Sequence, residues 1–259
     1  MDLASQLRAS LIAQALPPPS TAFLTSLIAA RAPPPPLPSL LATAKARLLA
    51  CDLSSTASST LLDRTLLAAL PIDGAAAAAA AKVTLVRDVH VQVVDVENLS
   101  LSRWQQVEAL DALERGEGTR GRQVVRLAAT TDGAEGDGNG ADEDATNGDV
   151  QNHTRRAAQT NAAASATASP NATHRLVLQD HKGTRIFAVE LRRIARIGVG
   201  KTNMGEKILL RAGTVVSRGI ALLTPETCVL LGGKVETWHE AWLRDRLASL
   251  REAVASPQP

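Results

Sequence analysis

The chain reads as an α+β protein: an N-terminal helical bundle, then a small five-stranded β-barrel with one long insertion and a closing C-terminal helix. Three observations carry that reading. Over residues 205–233, short β-branched and leucine-rich runs are punctuated by Gly213, Gly219, Pro225 and the Gly232-Gly233 pair, the pattern of a tightly turned antiparallel barrel. Residues 174–193 ahead of that stretch are strand-like. Up to about Asp73, apolar residues instead recur at helical spacing between proline loops. The division expected is a bundle over residues 1–73, an alanine-rich linker over 74–82 and a barrel domain over 83–259.

Leu3, Leu7, Leu11 and Ile12 share one face of a first helix, which Pro17 to Pro19 stop. Ser20 then precedes a second helix with Phe23, Leu24, Leu27 and Ile28 on one side, broken by Pro33 to Pro36. Leu40, Leu41, Ala44, Leu48 and Leu49 mark a third over residues 37–53, and residues 59–70 read as a short fourth. In the barrel, residues 83–96 carry apolar side chains on both alternating faces, as a long strand does when it bends and serves two sheets. Ser102 with Gln105 forms a capping-box pattern ahead of Trp104, Val107, Leu110 and Leu113, a helix ending near Gly116. Residues 123–128 look like a short strand.

Residues 129–173 are Gly, Asp, Asn, Thr, Ser and Ala with almost no large apolar side chain. Such a segment cannot bury enough surface to offset the entropy of ordering, so it is expected to be a disordered insertion. Residues 235–254 form a closing helix whose apolar side carries Trp238, Trp242, Leu243, Leu247 and Leu250. The two tryptophans, four apart, dock that helix on the barrel.

The 259 residues are 45% hydrophobic, enough for packed cores, but only 2% aromatic. Seven acids and no Lys or Arg fall between Asp132 and Asp149, whereas residues 182–218 hold nine basic residues against Glu190 and Glu206. The overall +2 therefore hides a basic barrel with an acidic insertion, an asymmetry that suits a nucleic acid or an acidic partner surface. Cys51 and Cys228 lie far apart, and the five histidines pair with neither each other nor a cysteine at ligand spacing. No cofactor, no metal and no catalytic residue is expected. Met1 to Leu16 does not read as a signal peptide and no stretch is apolar for long enough to span a membrane, so the expected compartment is reducing, cytosol or nucleus.

Several short motifs, in order and spacing, then carry a resemblance. Leu176-Val-Leu-Gln-Asp-His-Lys-Gly183, Val189-Glu190-Leu191, Gly205-Glu-Lys-Ile-Leu-Leu210, Gly219-Ile-Ala-Leu-Leu-Thr-Pro-Glu226 and Val229-Leu-Leu-Gly-Gly-Lys-Val235 resemble the N-terminal OB-fold domain of the RecQ-mediated genome instability protein family. The likeness includes Val91-Gln-Val-Val-Asp-Val96 and, more loosely, the helical bundle. It implies a non-enzymatic subunit that binds a type IA topoisomerase, topoisomerase III, together with a RecQ helicase, dissolves double Holliday junctions and acts in the nucleus. In that family an insertion after the first barrel strand reaches into the topoisomerase, which here would be residues 115–173. Contacts of a second OB domain, carried by some members, are not transferred.

Candidate partner-binding residues on the glycine-punctuated stretch are Lys207, Leu209, Arg211, Leu222, Leu223, Pro225 and Glu226. Candidate DNA-phosphate contacts are Arg185, Arg192, Arg193, Arg196, Lys201 and Arg218. The alternative reading is an OB-fold single-stranded nucleic-acid-binding protein without a topoisomerase partner. OB-folds that bind single strands stack bases on aromatic side chains, and only Phe187 lies in the strand region, so the expected DNA contact is weak and salt-sensitive. Ala195-Arg-Ile-Gly-Val-Gly-Lys-Thr202 fits a relaxed phosphate-loop pattern, but the residues after Thr202 read as another strand rather than the helix such a loop opens.

Overall fold

The computed structural model describes residues 2–71, 82–115 and 172–255. The expected strand at 123–128 lies outside them, as do the insertion up to Asn171 and the linker up to Ala81. Three helices, α1 (Leu3–Ala13), α2 (Thr21–Ala29) and α3 (Leu37–Ala50), form the bundle. Their apolar stripes meet as anticipated: Leu7, Leu11, Phe23, Leu24, Leu27, Leu40, Ala44 and Leu48 form one buried cluster. Each such leucine stabilises the bundle by about 1.5–3 kcal/mol. Ser20 caps α2, its hydroxyl accepting from the Phe23 N–H at 3.1 Å.

The fourth helix does not form. Residues Thr56–Thr60 make one 3-10 turn, after which the chain runs through turns into the barrel. Tertiary hydrogen bonds take the backbone groups a helix would have used. Ser20 donates to the Leu61 carbonyl at 2.9 Å, Asp63 to that of Pro18 at 2.9 Å, and the Asp63 carboxylate accepts from the Thr65 backbone and hydroxyl.

The barrel comprises β1 (Val83–Thr84), β2 (Val89–Asn98), β3 (His174–Asp180), β4 (Arg185–Glu190), β5 (Lys207–Leu210), β6 (Val215–Ser217), β7 (Ile220–Leu223) and β8 (Cys228–Gly232). Helix α4 (Arg103–Glu114) follows β2 and α5 (Glu236–Ala255) closes the described chain. The eight segments condense to five strands plus a short edge. β6 pairs with β7 and β5 with β8 in nearly one register, and the Arg211 N–H bonds the Thr227 carbonyl between them at 2.9 Å. Residues 207–217 and 220–232 are thus the two arms of one bent hairpin, turned at Arg218-Gly219. One arm joins β2 through β5 and the other joins β4 through β7, so the hairpin curls the sheet around the core. The β4–β7 pairing is parallel, the one departure from an antiparallel barrel.

The long first strand is shorter than expected. It breaks between Thr84 and Val89, where Leu85 bonds Thr214 and the Asp88 carboxylate accepts from Ala212, leaving Val86 89% exposed. Its predicted double duty does appear: β2 pairs with β3 on one side and β5 on the other, and bends at a bulge between Val93 and Asp95. The capping box on α4 forms reciprocally, with Ser102 and Gln105 each donating a backbone N–H to the other's side chain. Trp104 does not face the core; it is 58% exposed, while Val107 and Leu110 pack on Leu247 and Leu250 of α5. Trp238 and Trp242 dock α5 on the barrel core as expected, and the Trp242 Nε1–H donates to Asp95 at 2.6 Å.

Bundle and barrel meet in a polar seam. On the outer side of β2 and β5, His90 lies opposite Leu209 and Gln92 opposite Lys207. The bundle meets three of them. His90 Nε2 lies 2.9 Å from the Ala15 carbonyl, Gln92 accepts from the Leu53 N–H at 2.9 Å and donates to Asp52 at 2.7 Å, and Lys207 Nζ donates to the carbonyls of Leu49 at 3.2 Å and Gly205 at 2.5 Å. Nearby, the Asp180 carboxylate accepts from Leu70, Lys182 and Thr184, and Arg64 donates to Leu53, Ser54 and His181 carbonyls. Gly233 lets the backbone of α3 approach: its φ is +95°, and a Cβ there would collide with the Leu49 carbonyl and side chain.

The seam yields two measurable outcomes. Gly233→Ala should lower stability by roughly 2 kcal/mol or more, and by more than Gly213→Ala, whose φ of +92° is similar but whose surroundings are open; urea unfolding of the pair separates clash from backbone strain. Burial pushes the Lys207 ammonium down from 10.5 to about 8, with Cys51, Asp52 and Glu206 opposing the shift. Between those pH values the unfolded chain binds more protons than the folded one, so stability from this group rises with pH. The wild type should therefore gain on Lys207→Met by about 1 kcal/mol or more between pH 7.5 and 10, read from paired urea melts.

Candidate protein-interaction face

The half of the barrel's outer surface that the bundle leaves uncovered is built from β3, β4, β7 and β6. Alternation along β4 turns Ile186, Ala188 and Glu190 inward and Arg185, Phe187 and Val189 outward, with Leu191 continuing the outward row. Register places Phe187 beside Ile220 and Val177, and Val189 beside Leu222, itself opposite Val215. The result is a contiguous apolar strip on which Leu191 is 64%, Phe187 48% and Ile220 36% exposed. The Arg175 guanidinium lies 5.2 Å from the Phe187 ring centroid and also pairs with Glu97.

A buried carboxylate fixes the loop at the end of β4. Glu190, with its side chain 1% exposed, accepts from the His174 backbone at 3.0 Å, His174 Nδ1 at 2.8 Å, Ile194 N–H at 2.8 Å and Arg193 at 2.6 Å. Burial alone would raise its carboxyl, but the bonds from His174, Ile194 and Arg193 outweigh that and hold it below the ordinary glutamate range. This anchoring sets where Leu191 and Arg192 emerge: both donate backbone N–H groups to the Leu223 carbonyl, and Arg192 reaches Glu226 at 2.7 Å. The Glu226 carboxyl is held low by its own backbone N–H, the Thr224 hydroxyl and Arg192.

The candidate partner residues divide accordingly. Leu222 lies on the apolar strip, and Pro225, Glu226 and Arg211 are exposed around the bend that adjoins it. Lys207, Leu209 and Leu223 are withdrawn from the surface, at 0%, 5% and 0% exposure: Lys207 reaches into the bundle, Leu209 lies between His90 and Val229, and Leu223 is in the barrel core. Phe187, Leu191 and Ile220 join the face without having been candidates for it, although the period-two row Arg185, Phe187, Val189, Leu191 is a signal that could have found two of them. The phosphate candidates are likewise redistributed. Arg193 is engaged by Glu190 and the Ile194 carbonyl, Arg192 by Glu226, and Arg196 by the Leu230 carbonyl at 3.2 Å and Glu206 at 3.5 Å. Lys201 folds back on the Ala195 carbonyl at 3.4 Å. Arg185 and Arg218 are exposed, without a side-chain partner among the described residues, and stand at the same end of the strip, each two residues before a paired position.

The phosphate-loop likeness dissolves in three dimensions. Gly198 donates to the Thr202 hydroxyl at 3.1 Å, Lys201 and Thr202 donate to the Gly198 carbonyl, and β5 rather than a helix comes next. Those three amides are turned on the loop itself. Among the described residues no group of three or more His, Cys, Asp or Glu could hold a metal, and no helix is long and apolar enough to cross a membrane.

A helical bundle sealed onto one side of a five-stranded barrel, with an apolar strip open on the other, defines a helix-capped protein of the OB-fold class. Residues 71–246 match the family model described as RMI1, N-terminal OB-fold domain, and residues 11–56 the one described as RMI1, N-terminal helical domain. The chain belongs to this family, that of RecQ-mediated genome instability protein 1. It is 28% identical over 157 residues to RecQ-mediated genome instability protein 1 of Schizosaccharomyces pombe (strain 972 / ATCC 24843), a match covering 61% of this chain and 60% of that protein.

Glu190→Gln should destabilise the chain by about 3 kcal/mol, because His174 and Arg193 lose a buried charged acceptor. Since the folded carboxyl titrates below its ordinary value of 4.5, its contribution is present above that pH and is lost as pH falls below it. Acid unfolding followed by circular dichroism should begin at higher pH in the wild type relative to its own neutral-pH stability than in Glu190→Gln.

Proposed function

We propose that this chain is a non-catalytic scaffold subunit that holds a type IA topoisomerase, topoisomerase III, and couples it to a RecQ helicase in the nucleus. In that assembly it would support dissolution of double Holliday junctions. Family membership supports a role in genome stability, and the observation that points to scaffolding is the strip of Phe187, Val189, Leu191, Ile220 and Leu222. A domain that leaves contiguous apolar side chains open, rimmed by Arg185, Arg192 and Glu226, has the anatomy of a protein-docking surface. DNA contact in this reading is secondary, through phosphates at Arg185 and Arg218, because a single arginine-covered phenylalanine offers no stacking track.

The test is capture of topoisomerase III from nuclear extract on the wild type and on Phe187→Glu/Leu191→Glu. The wild type should retain the enzyme, and the double variant should lose it by about tenfold or more while its unfolding midpoint changes little, both sites being about half exposed or more. Undiminished capture by the variant would move the docking surface elsewhere. No capture by either, with tight single-strand binding at physiological salt, would favour a nucleic-acid-binding role.

A further inference from the structure

The β2 bulge and helix α5 enclose an open cleft of about 400 Å³ on the barrel's flank. Its walls are the indoles of Trp238 and Trp242, with Val94 and the first residue of β4, Arg185, opposite them. Val94 is the bulged residue, left without a partner in the β2–β3 register, so the cleft exists because β2 steps out of pairing beneath α5. A space of this size holds one large side chain and its flanking backbone.

The polar groups around it are unevenly satisfied. Asp95 is already engaged, accepting from the Trp242 indole at 2.6 Å and the Val96 N–H at 2.9 Å, with Arg246 3.6 Å away. The donors are not. The Arg185 guanidinium and the Trp238 indole N–H make no hydrogen bond among the described residues, and one guanidinium nitrogen of Arg246 is buried without a hydrogen-bond partner, 3.6 Å from Glu97. Unpaired donors beside aromatic walls select a ligand that brings an acceptor, preferably anionic, next to an apolar group. A nucleic-acid strand fits less well, because its successive phosphates would have to pass Asp245, 78% exposed at the rim, with Asp95 and Glu97 behind it, whereas a single carboxylate can be met at Arg185 alone.

We propose that this cleft is a socket for a short peptide segment of a partner protein that carries a single carboxylate beside one apolar side chain. One apolar side chain enters between Trp238 and Trp242, and a neighbouring carboxylate pairs with Arg185 and the Trp238 N–H. The socket requires no topoisomerase and goes beyond the scaffold reading, which rests on Phe187 and Leu191.

The probe is N-acetyl-Phe-Asp amide, titrated into the full chain while the indole N–H resonances of its three tryptophans are followed by NMR. The Trp238 and Trp242 signals should move saturably with a dissociation constant on the order of 1 mM, and the signal of Trp104, on α4, should stay put. Replacing the probe's Asp by Asn should weaken binding by about fivefold or more, and Arg185→Glu by about tenfold, as loss and reversal of one charge-assisted contact require. Asp245→Asn should tighten it. Both variants alter exposed side chains and should keep the wild-type unfolding midpoint; Asp245→Asn, away from the apolar strip and its rim, should also keep topoisomerase capture, which separates failure here from failure of the scaffold reading. The inference is overturned by a Trp238 signal that does not move, by equal affinity for the Asn probe or the Arg185→Glu variant, or by a thymidine dinucleotide binding the same indoles as tightly as the peptide.

Discussion

The structure depends on the seam in which the bundle sits over the outer side of β2 and β5. An ammonium such as that of Lys207, fully excluded from water, is costly unless its protons are matched, and here the matching carbonyls come from both units: Leu49 in the bundle, Gly205 in the barrel. Gln92 works in the same way, accepting from Leu53 and donating to Asp52 and Gln179. Separating bundle from barrel would expose apolar surface and also strand these groups, so the two units are bound as one body. The polar character of the seam also fixes register, because a slide of one residue along β2 would exchange His90 and Gln92 for valines.

That constraint decides which part of the barrel's outer surface stays open. A small closed sheet has an outer surface as well as a core, and here the outer surface is divided. The β2–β5 side is taken by the bundle and the flank over the bulge by α5, while the β4–β7 side carries Phe187, Ile220 and Leu222 with nothing described above them. The Glu190 cluster then determines how the strip ends, since it holds the loop from which Leu191 and Arg192 project. Charge obeys the same logic. Most of the basic residues concentrated between Lys182 and Arg218 are matched by internal carboxylates or carbonyls, so basic composition becomes local pairing rather than a continuous positive groove.

Much of this was legible in the sequence, for physical reasons that differ by element. The helices of the bundle, the Ser20 cap, the Ser102-Gln105 box and the glycine-turned hairpin are local matters, set by periodicity and by groups three or four residues apart. What was not legible was covering. Alternation along Lys207–Leu210 correctly separates inward Ile208 and Leu210 from outward Lys207 and Leu209, and would leave the outward pair in solvent; both are buried, and Lys207 is so because the bundle lies over it. Residues 59–70 failed as a helix for a related reason, their backbone groups being drawn to Pro18, Ser20 and Asp180, partners distant in the chain. The same blindness to distant neighbours hid the burial of Lys207 and the exposure of Leu191.

The bulge between Val93 and Asp95 shows how one local irregularity shapes both the strand and the helix packed over it. β2 must pair with β5 over Val89–Gln92 and with β3 along nearly its whole length, and strands wrapped around so small a core cannot keep one straight ladder through both. The extra residue supplies the bend. It also turns the Asp95 carboxylate toward α5, where the Trp242 indole and Arg246 meet it and set the angle at which the helix crosses the barrel. Because α5 is held by polar contacts at Asp95 and by apolar contacts to α4 further along, it spans the step in the sheet instead of filling it, and the opening between Trp238 and Arg185 results. Straightening β2 would therefore cost the barrel its closure and the helix its anchor together, which ties the existence of the cleft to the same residue that lets five strands close.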